Sequence, residues 1–231
     1  MIDVILWDVD GTLLDFPAAE RAAMEACYAA FGLGQLSAEG LARYSALNRS
    51  FWQRLERGEL TKPQVLVGRF REFFAAEGLD PALAEAFNAL YQERLGDTVR
   101  FQDGADRLIA RLKGRVRQYA ATNGTRVAQE RKLKKSGLDR LLDGVFISEL
   151  VGAEKPSPLF FDRVLAAVGP VDRRRVLMVG DSLTSDMAGG LGAGLRCCWY
   201  NPQGLPAPGD MALDHVISHL NQVEALLPPL S

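Results

Sequence analysis

Apolar positions fall into two textures along the chain. Val4-Ile5-Leu6-Trp7 is a short unbroken apolar run that stops at acidic and glycine residues. That is the pattern of a strand buried on both faces, with chemistry at its C-terminal end. From about Phe16 to Leu95, apolar residues recur at helical spacing among Ala, Leu, Glu and Arg. Gly32-Leu33-Gly34, Gly58 and Gly78-Leu79-Asp80-Pro81 cut this stretch into several helices, with no strand among them. From about Gly96 onward the two kinds of element alternate. A helix opened by Asp103-Gly104-Ala105 runs through Leu112, and a strand from Val116 to Ala121 ends in Thr122-Asn123-Gly124. A basic helix from Arg126 to Ser136 stops at Gly137, and a short strand follows at Val145-Phe146-Ile147. Pro158 to Val168 reads as a helix, and Val176-Leu177-Met178-Val179 as a strand running into Gly180-Asp181-Ser182. A further helix, a strand from Leu195 to Tyr200, a strand at Val216-Ile217 and a last helix near Ser218–Leu227 close the chain. Ser218 reads as the N-cap of that last helix, and Leu227-Pro228-Pro229-Leu230-Ser231 as its stop.

Alternating strands and helices imply an α/β core, a Rossmann-like doubly wound parallel sheet covered on both faces. The helical block after the first strand is then an inserted all-helical cap domain. The expected division is a core of residues 1–15 and 97–231, with a cap of residues 16–96 held by two linkers near Asp15 and Gly96. Two linkers permit hinge closure over a site.

Composition narrows the function classes. Of 231 residues, 48% are hydrophobic and 24% charged, ordinary for a globular protein and enough for a sizeable core. Lys plus Arg is 27 against 29 for Asp plus Glu, so no basic field points to nucleic acid. Cys27, Cys197 and Cys198 are too few and too oddly placed for a disulfide framework, and read as buried thiols in a reducing cytoplasm. No uncharged apolar run approaches the roughly 18 residues of a membrane span, and the first residues lack a basic leader. The expectation is a cytoplasmic monomer or homodimer.

In open α/β sheets, ligands bind beyond the carboxyl ends of the strands. The unusual polar residues of this chain fall there four times. Asp8-Val9-Asp10-Gly11-Thr12 sets two carboxylates two residues apart, on one face of an extended backbone. Close carboxylates repel unless a cation intervenes. Thr122-Asn123-Gly124 offers a hydroxyl, an amide and free N–H groups at a strand-to-helix turn, suited to an anion or simply to a helix cap. Lys155-Pro156-Ser157-Pro158 supplies a compact positive charge in a loop, or just an exposed lysine. Gly180-Asp181-Ser182-Leu183-Thr184-Ser185-Asp186 supplies two further carboxylates, oxygen ligands of the kind Mg²⁺ takes beside phosphate, although Asp181 alone could be a helix cap.

Each group has a plain structural explanation, but the ordered set is specific. Asp8-x-Asp10-Gly11-Thr12, Thr122-Asn123, Lys155-Pro156 and Gly180-Asp181 with Asp186 together resemble the haloacid dehalogenase-like hydrolase superfamily, cap included. The resemblance implies an enzyme that uses Mg²⁺ and an aspartyl-phosphate. Asp8 is implied as the nucleophile. Asp10 is implied as the acid that protonates the leaving oxygen and then the base that activates water, with its backbone carbonyl on the metal. Asp8 and Asp181 are implied as metal ligands, and Asp186 as binding through water or orienting Lys155. Thr122, Asn123 and Lys155 are implied to take phosphate oxygens.

Asp10 separates chemistries within that family, because the 2-haloacid dehalogenases carry a non-acidic residue there. A leaving alkoxide needs a proton and a halide does not. Phosphonate hydrolysis needs an imine-forming cap lysine, and Lys62 has no apolar pocket evident around it. Asn48-Arg49-Ser50-Phe51-Trp52, Gly58-Glu59-Leu60-Thr61, Arg69-Phe70 and Cys198-Trp199-Tyr200-Asn201-Pro202 further resemble the bacterial pyrimidine 5′-nucleotidase group, whose members act on UMP, dUMP and dTMP. Gly11 departs from that group, many of whose members have a second Asp there. Phe16, Phe51 and Trp52 could stack a base or pack a core, and Arg49 could touch substrate or water. The substrate is therefore expected to be a small phosphorylated metabolite, a pyrimidine nucleotide first. Phosphoglycolate, a sugar phosphate, a phosphosugar mutase reaction and a non-catalytic binder are the alternatives. Gly189-Gly190-Leu191-Gly192-Ala193-Gly194 reads as close helix packing rather than a dinucleotide loop. The basic residues Arg131-Lys132 and Lys134-Lys135 read as a solvated helix face. His215 and His219 read as strand and loop residues rather than a zinc pair.

Overall fold

A computed structural model describes residues 1–227. Strands β1 (Val4–Trp7), β2 (Arg117–Thr122), β3 (Gly144–Ile147), β4 (Val176–Gly180), β5 (Arg196–Tyr200) and β6 (His215–Ile217) form one sheet in the order β3-β2-β1-β4-β5-β6. Every pairing is parallel. Side chains alternate across it as a period of two requires. Ile5 and Trp7 join one core with Leu108, Ile109 and Val179, while Val4 and Leu6 join the opposite core with Phe160, Phe161 and Met178. Both faces are therefore covered, which is why the central strands are continuously apolar. Strand order reverses around β1, the switch point where a crevice opens beyond the strand ends.

Four helices follow β1 before the sheet resumes: α1 (Phe16–Phe31), α2 (Ala38–Glu56), α3 (Lys62–Ala76) and α4 (Ala84–Leu95). Asp15 caps α1 by accepting from the Ala18 N–H at 3.0 Å, and Gly32 ends it in the left-handed conformation. The insertion has its own aromatic core, in which Tyr44, Phe70, Phe73, Phe74, Phe87 and Tyr91 are buried. Phe70 meets Tyr91 edge-on at 5.1 Å and Phe74 meets Phe87 edge-on at 5.0 Å. Each such ring contributes roughly 1.5–3 kcal/mol on burial, so the insertion carries its own packing energy.

Past the insertion lie α5 (Ala105–Leu112), α6 (Arg126–Ser136), the single turns α7 (Leu138–Leu141) and α8 (Ser148–Val151), α9 (Pro158–Val168) and α10 (Ala188–Gly192). The glycine run does pack closely, since a Cβ on Gly190 would stand 2.6 Å from Cys197 Sγ and 3.2 Å from Met178 Cβ. All three cysteines are free and buried, and burial pushes each thiol up to about 12. The last helix is shorter and tighter than its sequence suggests, a 3₁₀ segment Leu220–Leu226. His219 rather than Ser218 caps it: its Nδ1 accepts from the Asn221 N–H at 3.2 Å, and the Gln222 side chain returns to accept from the His219 N–H at 2.9 Å. Of the tail read as a helix stop, Pro228–Ser231 lies outside the described residues.

Candidate active site

The chain leaves β1 at Trp7, one residue before the first acid. The Asp8 N–H still bonds to the Val179 carbonyl of β4 at 2.9 Å, so this carboxylate stands between the two central strands. The turn that follows closes through Gly11 N–H to Leu14 O at 2.9 Å. Gly11 has φ +94°, and a Cβ there would lie 2.6 Å from Asp181 Oδ2. A side chain at position 11 would therefore be strained and would displace a site carboxylate. Here lies a local reason for the glycine.

Asp8, Asp181 and Asp186 converge, with a carboxylate oxygen from each inside a 4.8 Å span. Asp181 follows β4 and is exposed at one edge, and Thr12 Oγ1 donates to its Oδ1 at 3.2 Å. Asp186 sits on a wide π-helical turn, Leu183–Met187, and accepts from the Ser182 N–H at 3.1 Å. Lys155 is buried among these acids. Its ammonium donates to Asp8 Oδ1 at 2.8 Å, Asp186 Oδ1 at 2.6 Å and the Ala121 carbonyl at 2.7 Å. Those three bonds use all its hydrogens.

Three carboxylates thus face one ammonium. Burial, opposed by Lys155 and reinforced by Asp186, pushes the Asp8 carboxyl up to about 7. Crowding by protein atoms, and then the Asp8 charge, pushes Asp181 up to about 7. Asp186 rises to about 6, again chiefly through burial. Burial also works against the charge on Lys155, but Asp186 and Asp8 outweigh it and hold the lysine protonated. A surplus of oxygen ligands and negative charge in one pocket fits a hard divalent cation.

The expected phosphate residues are placed unequally. Thr122 is buried at the end of β2, where its Oγ1 accepts from the Gly124 N–H at 3.1 Å. Asn123 is an expected phosphate contact, but its carboxamide is committed elsewhere. It donates to the Lys155 carbonyl at 2.7 Å and accepts from the Lys155 N–H at 2.8 Å, holding the loop beside the cis Lys155–Pro156 bond. Asp10 parts company with Asp8 despite the two-residue spacing, because the strand has ended. Its Oδ2 accepts from Gln129 Nε2 at 2.6 Å and its Oδ1 from Lys132.

Lys132 is not on a solvated face. It is fully buried, because Ala128, Gln129, Lys132 and Leu133 form the inward edge of α6. The clue in the sequence is the Ala128-to-Lys132 and Gln129-to-Leu133 spacing of four, hidden by the charges around it. Lys62, read as lacking an apolar pocket, is buried against polar partners: it donates to Ser148 Oγ at 2.7 Å and pairs with Glu154 at 3.1 Å. An ammonium held in an ion pair is ill suited to imine formation. Among the aromatics, Phe51 is buried within the insertion, and Phe16 packs on its core with Lys132 5.6 Å from its ring. Trp52 is half-buried and Arg49 exposed.

A cleft of about 800 Å³ leads to Lys155 between the insertion and the segment that follows β3. Leu55, Glu56, Arg57 and Lys62 line one wall, and Ser148, Glu154 and Pro156 the other. Glu56, on the first of these walls, accepts from Thr184 of the π-helical turn.

Known proteins resemble this chain over most of its length. Residues 2–194 match the family described as haloacid dehalogenase-like hydrolase. The HAD-hydrolase YfnB of Bacillus subtilis is 32% identical over 96% of this chain and 94% of its own. Its crystal structure, described as bound to magnesium and revealing interdomain movement, superposes with a TM-score of 0.93 over 99% of each chain at 31% identity. The pyrimidine 5′-nucleotidase YjjG of Escherichia coli is 31% identical over 97% of each chain. The pyrimidine 5′-nucleotidase PynA of Streptococcus pneumoniae is 35% identical over 87% of this chain and 84% of its own. Among the described residues, no helix is long and apolar enough to cross a membrane.

Proposed function

The chain belongs to the haloacid dehalogenase-like hydrolases, and on that premise we propose that it is a Mg²⁺-dependent phosphomonoesterase acting on pyrimidine nucleoside 5′-monophosphates. The observation that carries the reading is the meeting of Asp8, Asp181 and Asp186 around a fully bonded Lys155 at the switch point of the sheet. An anionic nucleophile must approach an anionic ester, and that approach needs positive charge already in place.

Asp8 attacks phosphorus and the ester P–O bond breaks, leaving an aspartyl-phosphate and an alkoxide that takes its proton from Asp10. Asp10 then draws a proton from water as it attacks the phosphoryl group, and phosphate and free Asp8 result. Lys155 neutralises phosphate oxygens, Asn123 and Asp186 fix that lysine, and Thr122 offers its hydroxyl at the end of β2. Asp8, Asp181 and the Asp10 carbonyl would hold the metal, with Asp186 behind them. Bound Mg²⁺ supplies charge neutralisation between carboxylate and phosphate. Residues 16–96 act as a cap hinged on residues 1–15 and 97–231, and the interdomain movement described for YfnB supports that division. The nucleotide preference rests on the likeness to YjjG and PynA. A phosphate-release screen with Mg²⁺ tests it. UMP, dUMP and dTMP are expected to exceed phosphoglycolate and sugar phosphates by about tenfold or more in kcat/KM, a modest discrimination for a site that hydrogen-bonds its substrate. Preference for phosphoglycolate or a sugar phosphate would overturn the substrate, and no hydrolysis of any ester would overturn the activity.

The raised carboxyls also set a pH dependence. Between the ordinary 3.8 and about 7, the folded chain binds protons that the unfolded chain has released. Stability of the metal-free protein therefore falls as pH rises through that window. Mg²⁺ removes the repulsion, so it is expected to raise Tm by several degrees at about pH 8 and by much less at about pH 5.5. Equal stabilisation at both pH values, by scanning calorimetry, would contradict the assignment of these acids to the metal.

A further inference from the structure

Asp10 is the one motif carboxylate held outside the cluster. Asp8, Asp181 and Asp186 share a span of 4.8 Å, but the Asp10 side chain has turned toward α6. Both of its oxygens are occupied there. Lys132 donates to one, and its ammonium is buried with the Phe16 ring 5.6 Å away. Gln129, also fully buried, donates to the other at 2.6 Å. Room for that amide depends on Gly124, since a Cβ at 124 would stand 2.1 Å from Gln129 Nε2. Thr125 starts α6 by accepting from the Ala128 N–H at 3.3 Å, and it donates to Gln92 of α4 at 2.7 Å. The helix that carries both donors is thereby tied to the insertion.

A short carboxylate two residues from the nucleophile would be drawn toward any divalent cation bound at the cluster. A desolvated ammonium on the far side supplies the counter-pull, and an amide from the same helix fixes the rotation. We infer that Lys132 and Gln129 are positioning residues that hold Asp10 off the metal cluster and aim it at the leaving oxygen. This deepens the proposed phosphomonoesterase reading and rests on it. Neither residue touches the phosphoryl group. Their action is on the proton that Asp10 delivers as the ester P–O bond breaks and the Asp8 O–P bond forms.

Leaving-group dependence tests this directly. An alkoxide needs that proton, whereas 2,4-dinitrophenolate leaves without it. The measurement is pre-steady-state release of the leaving group with Mg²⁺, using 2,4-dinitrophenyl phosphate and the alkyl phosphate that the wild-type protein turns over fastest. For Lys132→Met, release from the alkyl ester is expected to fall about 100-fold, at the lower end for loss of general acid catalysis. Release from the dinitrophenyl ester is expected to stay within about threefold, because it does not draw on that acid. Lys132→Arg should recover most of the alkyl rate. Gln129→Leu, which leaves the ion pair intact, should show the same split at smaller size and carries the test if Lys132→Met fails to fold. An equal fall with both esters, an unchanged alkyl rate, or loss of the fold in both variants would overturn the inference. Failure of the wild-type protein to hydrolyse either ester would instead overturn the phosphomonoesterase reading.

Discussion

Asp8→Asn is expected to lower kcat by on the order of 10³ or more while leaving the fold intact. Asparagine keeps the size and one acceptor oxygen of the side chain, so the 2.8 Å contact to Lys155 can persist as a hydrogen bond. Nucleophilicity is what is lost. Burial already disfavours the charge at this position, as the carboxyl pushed up to about 7 indicates. Neutralising it should therefore leave the metal-free Tm unchanged or slightly higher near neutral pH, and it should weaken Mg²⁺ binding. Steady-state kinetics and a melting curve on the same sample check both. Near-normal turnover would remove Asp8 from the nucleophile role, and a collapse of Tm would make it a structural acid.

Lys155→Met is expected to damage stability and activity together. The ammonium has no spare hydrogen, being shared among Asp8, Asp186 and the Ala121 carbonyl. Removing it strands two buried carboxylates and a carbonyl oxygen, a loss of about 3–5 kcal/mol by analogy with broken buried pairs. For a chain of this size, that lowers the metal-free Tm by roughly 6–20 °C at about pH 8. The drop should shrink near pH 5.5, below the raised values of about 7 for Asp8 and about 6 for Asp186, where both acids take up protons. Turnover should fall by on the order of 10³ through loss of charge opposite the phosphate. Lys155→Arg is expected to rescue neither property, because a planar guanidinium does not match three acceptors converging on one nitrogen. A stable, active Lys155→Met protein would show that the lysine is incidental.

Local patterns made much of this molecule legible. Val4–Trp7 and Val176–Val179 read as buried strands because both faces of a doubly covered sheet are apolar, and the acids that follow them stood out against that background. The helical insertion followed from periodicity alone. Orientation was harder to read. Two acids two residues apart suggest a shared face, but the strand stops at Trp7 and the turn sends Asp10 toward α6. Lys132 reads as solvated because charged neighbours surround it in the sequence. Its partner Asp10 lies 122 residues away, beyond the reach of any local pattern. Asn123 likewise carried the right chemistry for an anion, and only the tertiary structure shows it spent on the Lys155 backbone.

Trapping the covalent intermediate tests the central claim most directly. Wild-type protein is mixed with substrate and Mg²⁺, quenched in acid within the first turnover and reduced with borohydride, which converts a phosphorylated aspartate to homoserine. The site of conversion is then located by tandem mass spectrometry. Conversion at residue 8, absent without Mg²⁺ and absent in Asp8→Asn, is the predicted result. Conversion at Asp10 or at any other acid, or product formation with no trapped residue, would contradict the account.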